Sequence, residues 1–252
     1  MISLKSAREI EIMRRANIIV AEVLQELKQR VAPGVTTLEL DALAEELTLK
    51  KKATPAFKGY AVAGRVFPRC LCASINEEIV HGIPGNRALR EGDIVGLDYG
   101  VIYNGFYGDS ALTVGVGRVS EETQRLIDVT ERALYKGIEQ LHEGKRLGDL
   151  GFAVQQIAES AGYSVVRVFV GHGIGKKLHE EPPVPNFGEP DRGVRLKEGM
   201  VLAIEPMINA GGADVEIKED GWTAVTKDGS WAAHFEHSVA ITKNGPYILS
   251  QL

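Results

Sequence analysis

The stretch from Gly92 to Val114 constrains the fold more than any other part of this sequence. Apolar residues alternate with small or polar ones on both sides of Asn104-Gly105, a dipeptide typical of two-residue hairpin turns. We therefore expect an antiparallel hairpin in which Asp98 and Asp109 share one face as near-diagonal neighbours. That face also carries Gly96, Gly100 and Ala111, and the opposite, apolar face carries Val95, Leu97, Tyr99, Val101, Leu112 and Val114.

Two carboxylates on one face of a hairpin repel each other. Burying either one without a partner is costly or shifts its pKa. On the hairpin alone, two interpretations stay open. Asp98 and Asp109 are either solvated positions of an ordinary hairpin or ligands of a divalent cation, for which carboxylate oxygens are well suited.

Composition narrows the class of protein. The 252 residues can bury a sizeable core, and 44% hydrophobic with 25% charged residues is typical of a soluble globular chain. A net charge of -5 argues against nucleic acid or an anionic membrane as the main partner. The sequence has no apolar run near the roughly 20 residues of a membrane helix, and residues 1–5 do not begin a signal peptide. Two cysteines, Cys70 and Cys72, suit a reducing compartment, so we expect a cytoplasmic protein.

Helical periodicity predicts two pairs of helices. Capping boxes at Ser6-x-x-Glu9 and Thr36-x-x-Glu39 begin the first two. The four predicted segments are 6–32, 36–52, 120–143 and 149–161, and a strand is expected over 165–170. Each pair of helices precedes a segment with a His-Gly-Ile loop and strand-like alternation, at 81–83 and at 172–174.

The two halves of the chain also resemble each other directly. Residues 89–98 and 196–205 match in the pattern Leu, basic, Glu, Gly, any residue, branched apolar, aliphatic, small, aliphatic, acid, which aligns Asp98 with Glu205. A chance match over so few positions is the alternative. We interpret the match as an internal repeat, about 6–115 and 120–245, which predicts an α/β (α+β) fold built from a duplicated helix–helix–sheet unit.

The last predicted strand adds another acid. Residues 222–226 and 231–235 flank Lys227-Asp228-Gly229-Ser230, which predicts a second hairpin. Glu236 follows it and points away from the apolar face by alternation. The candidate metal ligands are Asp98, Asp109, His172, Glu205 and Glu236. Four carboxylates and an imidazole suit two divalent ions of manganese, iron, cobalt or zinc, and the sequence does not choose among these metals.

Six colinear motifs carry a family resemblance. They are His81-Gly82-Ile83-Pro84, Asp98 with Gly105-Phe106-Tyr107-Gly108-Asp109, Gly171-His172-Gly173-Ile174-Gly175, His179-Glu180-Glu181-Pro182, Ile204-Glu205-Pro206 and Phe235-Glu236-His237. Together they resemble the type I methionine aminopeptidases in their short bacterial form. The resemblance implies the pita-bread fold, with pseudo-twofold halves around a central dinuclear site, and makes residues 1–252 a single metallopeptidase catalytic domain.

The resemblance also assigns the two metal positions. It implies that Asp98, Asp109 and Glu236 hold one ion, and that Asp109, His172, Glu205 and Glu236 hold the other. Asp109 and Glu236 would then bridge the pair of ions. A water that bridges the metals would attack the first peptide bond, with Glu205 as the general base.

Further roles follow from the same resemblance. His179 would stabilise the tetrahedral intermediate, and His81 would contact the backbone of the substrate. The implied reaction removes the N-terminal methionine from nascent proteins and peptides when the second residue is small. Such a chain would act on N-termini in the cytoplasm, including those at the ribosome, as a monomer that binds neither membrane nor nucleic acid directly.

The residues at the predicted methionine pocket match the family pattern less closely than the metal ligands do. Tyr60, Phe67, Cys72 and Trp222 correspond to its usual walls, and a cysteine suits a thioether. Leu178 stands where the family usually has an aromatic residue. The segment 60–72 is a few residues longer than the common bacterial pattern.

The same motifs occur in other classes of protein. Prolidases and aminopeptidase P share the ligand set but carry an N-terminal domain for which this chain has no room, and type II methionine aminopeptidases carry an insertion that the run from His179 to Glu205 lacks. A catalytically inactive pita-bread protein that serves as a binding module would lose ligands that are kept here. A mononuclear iron oxygenase that uses His172, His179 and Asp109 would hold one metal per chain.

Overall fold

The computed structural model describes residues 2–252. Its helices are α1 (Ala7–Arg30), α2 (Thr37–Lys50), α3 (Glu121–Ile138) and α4 (Leu147–Ser160). Its strands in the first half are β1 (Thr54–Pro55), β2 (Ala61–Val62), β3 (Arg65–Val66), β4 (Leu71–Ile75), β5 (Glu78–Val80), β6 (Ile94–Tyr103) and β7 (Phe106–Gly115). Those in the second half are β8 (Ser164–Val165), β9 (Gly171–Gly173), β10 (Glu180–Val184), β11 (Val201–Ile204), β12 (Met207–Asn209), β13 (Val215–Ile217), β14 (Ala224–Thr226), β15 (Ala232–His234), β16 (Glu236–Thr242) and β17 (Gly245–Ile248).

The two predicted capping boxes are confirmed. The Ser6 hydroxyl accepts a hydrogen bond from the Glu9 amide, and the Glu9 carboxylate accepts from the Ser6 amide at 2.9 Å. Thr36 and Glu39 make the same reciprocal pair at the start of α2. These bonds satisfy backbone donors that an isolated helix terminus leaves unpaired. All four predicted helices are present, and their ends lie within five residues of the expected ones.

The central hairpin has the predicted turn and register. Asn104 and Gly105 both have positive φ, 49° and 81°, as a type I′ turn requires. The register pairs Asp98 with Ala111 and Gly100 with Asp109. Directly opposite residues share a face, so both aspartates lie on the face with the small residues, as expected. Gly100 has no room for a Cβ, because the Phe57 ring and the Asp109 carboxylate already lie against it.

The hairpin is part of a nine-stranded sheet in the order β1-β6-β7-β16-β11-β9-β10, with β4 paired to β6 and β17 paired to β16. The half-sheets β4-β6-β7 and β9-β11-β16 join edge to edge at β7 and β16. Two hydroxyls cross this seam reciprocally, from Ser110 to the Glu236 carbonyl at 2.6 Å and from Ser238 to the Asp109 carbonyl at 2.8 Å.

Each half-sheet carries its own pair of helices. One apolar core joins α1 and α2 to β4 and β6, and another joins α3 and α4 to β11 and β16. Equivalent isolated β-bridges also occur in both halves, Thr36 with Ala88 and Arg146 with Arg195. In each bridge the second residue directly precedes the leucine that begins the ten-residue match. The predicted mixed α/β class and duplicated helix–helix–sheet arrangement are therefore what the structure has.

Two local predictions are wrong. The strands that flank residues 227–230 do not pair with each other, because β14 pairs with β13 and β5 whereas β15 pairs with β12. The Asp228 carboxylate accepts from the amides of Gly212 and Ser230, and these bonds anchor the turn to another loop. The strand expected over 165–170 is limited to β8, and residues 167–169 form a bend.

Over residues 2–252, none of the helices combines the length and the apolar character that crossing a membrane would need.

Candidate metal centre and substrate cavity

A cavity of about 600 Å³ opens over the seam between the half-sheets. It contains every side chain to which the sequence assigned a role. These are Tyr60, Phe67, Cys72, His81, Asp98, Asp109, His172, His179, Glu205, Trp222 and Glu236. Leu178, which departs from the family pattern, also lines the cavity. The sequence did not single out seven further lining residues, namely Phe57, Val62, Ala63, Arg65, Phe169, Ile217 and Gly221.

Strand register brings the acids together. Cys72 is opposite Asp98, Asp98 is opposite Ala111, and Ala111 is opposite Glu236, so one row runs across β4, β6, β7 and β16. Ile204 pairs with His237, and the next position of the same register puts Glu205 beside Glu236. The small Ala111 in the middle of the row leaves space between the carboxylates.

Two further ligand candidates lie on the same sheet face. Asp109 is two residues before Ala111 on β7, and His172 is opposite Ala203, two residues before Glu205. One ligand atom from each of Asp109, His172 and Glu236 lies within 4.8 Å of the other two. The neighbouring His237 points away and hydrogen-bonds Tyr135 and Ser250.

The His172 ring is oriented for ligation through Nε2. Its Nδ1 lies 2.9 Å from the Gly173 carbonyl, and because a carbonyl can only accept, Nδ1 carries the proton in this bond. The unprotonated Nε2 lies 3.4 Å from the Glu205 carboxylate and 4.0 Å from that of Asp109. A backbone contact that fixes the tautomer in this way is common for ligating histidines. Burial lowers the pKa of His172 to about 3, so the ring is neutral.

Electrostatics shows that the acid cluster suits cations. Burial raises the pKa of Asp98 to about 7, and burial with mutual repulsion raises the pKa of Asp109, Glu205 and Glu236 well above the usual range. Buried oxygens of Asp98, Asp109 and Glu236 have no hydrogen-bond partner. Among the described residues, no lysine or arginine pairs with any of these acids. Orphaned anionic oxygens and a neutral imidazole form a donor set that fits divalent metal ions.

His179 lies beside this centre. Its ring centroid is 4.3 Å from that of His172, and its Nδ1 is 2.6 Å from the Tyr60 hydroxyl. Burial lowers the pKa of His179. Sequence reasoning assigned Tyr60 to the pocket wall and missed this hydrogen bond, because no local pattern links residues so far apart in the chain.

Aromatic side chains form the wall around His81. The His81 ring is edge-on to Phe169 at 5.5 Å and to Trp222 at 6.4 Å, and Trp222 is edge-on to Phe67 at 5.3 Å. His81 has a φ of 59°, which turns its side chain out of the strand path after β5. Phe169 was missed because its segment was expected to be a regular strand. Its position two residues before Gly171-His172 was the available signal.

Cys72 and Leu178 are buried in the same wall. Both Cys70 and Cys72 are free thiols. Burial and the nearby Asp98 and Asp109 raise the pKa of Cys72 far above its ordinary value. The Cys72 thiol therefore stays protonated and uncharged, and it contributes packing surface to the cavity.

Comparisons with known proteins agree with this geometry. The sequence model for metallopeptidase family M24 matches residues 11–243. A methionine aminopeptidase of Clostridium perfringens is 53% identical over 250 residues, which covers 99% of each chain. The crystal structure of a methionine aminopeptidase from Thermotoga maritima superposes with a TM-score of 0.97 at 46% identity and covers 100% of both chains.

A more distant structure shares the fold but not the length. The prolidase of Pyrococcus horikoshii has a TM-score of 0.77 at 25% identity, and the match covers 98% of this chain but 63% of that one. The pita-bread architecture implied by the family resemblance is the one that these relatives share. The chain belongs to metallopeptidase family M24 and, within it, to the methionine aminopeptidases.

Proposed function

We propose that this protein removes the N-terminal methionine from proteins and peptides whose second residue is small, by metal-dependent hydrolysis of the first peptide bond. The observation that carries the proposal is the convergence of four carboxylates, which pair with no lysine or arginine of the described residues, and one oriented histidine in an aromatic-walled cavity. The full-length identity to methionine aminopeptidases supports the choice of substrate.

The metal would be held by Asp98, Asp109, His172, Glu205 and Glu236, with Asp109 and Glu236 shared between two ions. Four carboxylates beside a neutral imidazole carry a charge that two divalent cations balance, which supports two ions of manganese, iron, cobalt or zinc per chain. When bound, the ions polarise the scissile carbonyl and lower the pKa of a water molecule.

Glu205 acts as the general base. It accepts a proton as the water oxygen adds to the carbonyl carbon, and it delivers that proton to the leaving amine nitrogen when the C–N bond breaks. The products are free methionine and the shortened peptide. Its position supports this role, because its carboxylate lies in the acid cluster of the cavity, 3.4 Å from His172 Nε2.

His179 stabilises the negative charge that develops on the carbonyl oxygen. A neutral ring can donate from Nε2 when Nδ1 accepts a hydrogen bond from the Tyr60 hydroxyl, and the lowered pKa of His179 favours this form. His81 lies among the aromatic rings of the cavity wall, beside Phe169 and Trp222, and its ring contacts the backbone of the substrate. Cys72, Phe67 and Trp222 enclose the methionine side chain, since thioethers pack well against aromatic rings and sulfur.

Residues 1–252 act as one catalytic domain, because side chains from both halves line the same cavity. The protein works in the cytoplasm as a monomer on N-termini of nascent chains, including those at the ribosome. The two free thiols fit a reducing compartment.

Release of methionine from a Met-Ala-Ser peptide tests the proposal. We expect activity that is abolished by a chelator and restored by a divalent ion, and elemental analysis that finds two ions per chain. Glu205→Gln is expected to abolish activity. A chain that binds such peptides without cleaving them would instead be a binding module, and one iron per chain with oxygen consumption would indicate an oxygenase.

A further inference from the structure

The β2–β3 hairpin lies at the outer mouth of the cavity. Its base is the pair Tyr60 and Phe67, which continues the ladder because the Phe67 amide donates to the Tyr60 carbonyl at 2.8 Å. Phe67 is buried in the cavity wall, whereas residues 61–66 are all exposed. The hairpin therefore extends from the wall into solvent.

The two faces of this hairpin differ in what they contact. Ala61 pairs with Val66, and Val62 pairs with Arg65. Opposite residues share a face and successive residues alternate, so Val62 and Arg65 lie on one face and Ala61 and Val66 on the other. Val62 and Arg65 line the cavity, but Val66 does not.

The facing wall of the mouth comes from the second half of the chain. Ile217, at the end of the edge strand β13, and Gly221 line the cavity opposite the hairpin. Arg65 Nη1 donates to the Gly221 carbonyl at 3.0 Å and ties the two walls together. Val62 is 48% exposed and Ile217 is 50% exposed, so two aliphatic side chains border the opening with much of their surface in water.

We propose that Val62 and Ile217 bind the third residue of the substrate and select an apolar side chain there. The inference rests on the proposed function. With methionine in the inner cavity beside the metal ligands, the rest of an extended peptide must leave through this mouth. The rim is continuous with the catalytic cavity, and an aliphatic side chain that covers Val62 and Ile217 removes apolar surface from water.

The test uses Met-Ala-Xaa-Gly amides, with Xaa as Leu or Asn, and Met-Ala amide as the substrate that ends before the rim. For the wild-type enzyme we expect kcat/KM to be about three- to tenfold higher with Leu than with Asn. Val62→Asn should abolish this preference and leave turnover of Met-Ala amide unchanged. Ile217→Asn, from the other wall, should act in the same direction.

Val66→Asn is the matched control. Val66 is in the same hairpin and 59% exposed, but it lies on the face away from the cavity. If methionine release continues, the inference is overturned when Val62→Asn and Val66→Asn change the Leu preference equally. It is also overturned when neither variant changes that preference. Absence of release from every peptide would overturn the proposed function as well. A shift in sedimentation with Val62→Asn, without a change in the Leu preference, would assign the rim to self-association and reject the peptide site.

Discussion

The Tyr60 hydroxyl lies 2.6 Å from Nδ1 of His179, although 119 positions separate the two residues in the chain. The Tyr60 hydroxyl thus holds Nδ1 of the imidazole, and in the proposed mechanism the other nitrogen acts on the substrate. The Tyr60 side chain also contributes to the wall of the cavity. One residue therefore couples substrate binding to the group assigned to charge stabilisation.

Removing the Tyr60 hydroxyl is expected to slow turnover. In Tyr60→Phe the ring still packs in the wall, but His179 loses the hydrogen-bond partner of its Nδ1. We expect kcat to fall about three- to thirtyfold with little change in KM, in line with one lost hydrogen bond.

The reference for this variant is His179→Ala, for which we expect a loss of about 100-fold or more with metal content unchanged. Adding Tyr60→Phe to His179→Ala should then have little further effect, because the hydroxyl acts through the ring. An undiminished effect of Tyr60→Phe in the alanine background would show that the hydroxyl acts independently.

The metal-free protein should become more stable as pH falls from 8 to 6.5. A carboxyl group whose pKa is raised on folding, such as Asp98 with a pKa of about 7 against about 3.9 unfolded, binds its proton more tightly in the folded state. Its contribution to stability is complete below the unfolded pKa and is lost as pH rises through the folded pKa. Urea unfolding in a chelator at several pH values measures this.

The predicted rise in stability is limited to pH values above about 6.5, because histidine protonation acts in the opposite direction below that value. Burial lowers the pKa of His81 to about 4, and below the unfolded histidine pKa near 6.5 this group opposes folding. The control is Asp98→Asn, which should weaken the pH dependence without abolishing it, because Asp109, Glu205 and Glu236 also have raised pKa values. Saturating metal should reverse the trend, since bound cations favour the ionised carboxylates. Identical pH profiles with and without metal would contradict the predicted electrostatics.

The ion pair of Lys5 and Glu180 should stabilise residues 176–180, the segment that contains His179. Lys5 Nζ lies 2.7 Å from Glu180 Oε2, with side chains only 4% and 14% exposed. Glu180 Oε1 accepts from the amides of Lys176 and Lys177. Glu180→Gln leaves the Lys5 ammonium without its countercharge, and we expect a loss of about 3 kcal/mol in the free energy of unfolding, with lower kcat.

The exposed pair Lys50 and Glu46 provides the comparison. Its 2.6 Å separation is as short, but both side chains are more than half exposed. Lys50→Met should therefore cost at most about 0.5 kcal/mol in the same unfolding experiment. Equal losses from Glu180→Gln and Lys50→Met would show that burial does not set the strength of the Lys5 pair.

The size of the second residue of the peptide should govern the rate at which methionine is released. In the proposed mechanism the scissile bond lies between the acid cluster and His179, so the side chain of the second residue must pack beside these groups. We expect Met-Ala and Met-Gly peptides to be cleaved at least about 100-fold faster, by kcat/KM, than Met-Lys or Met-Trp peptides. Competition within one mixture, followed by mass spectrometry, measures the ratio. Rapid release from Met-Trp would contradict the proposed cleft.

Local sequence signals predicted the parts of the fold that depend on nearby residues. The capping boxes at Ser6 and Thr36 and the Asn104-Gly105 turn depend on backbone geometry over a few positions, and the structure has all three. The second predicted hairpin failed because Asp228 hydrogen-bonds the distant Gly212 amide, which the turn sequence does not reveal.

The sequence by itself determined that Asp98 and Asp109 share a strand face, because side chains alternate and the turn fixes the register. It also aligned Glu205 with Asp98 through the repeat. Only the tertiary structure decided that β7 pairs with β16, which places Glu236 across Ala111 from Asp98, and that Tyr60 reaches His179. Pairing between distant strands depends on the packing of the whole chain, so no pattern within either half specifies it.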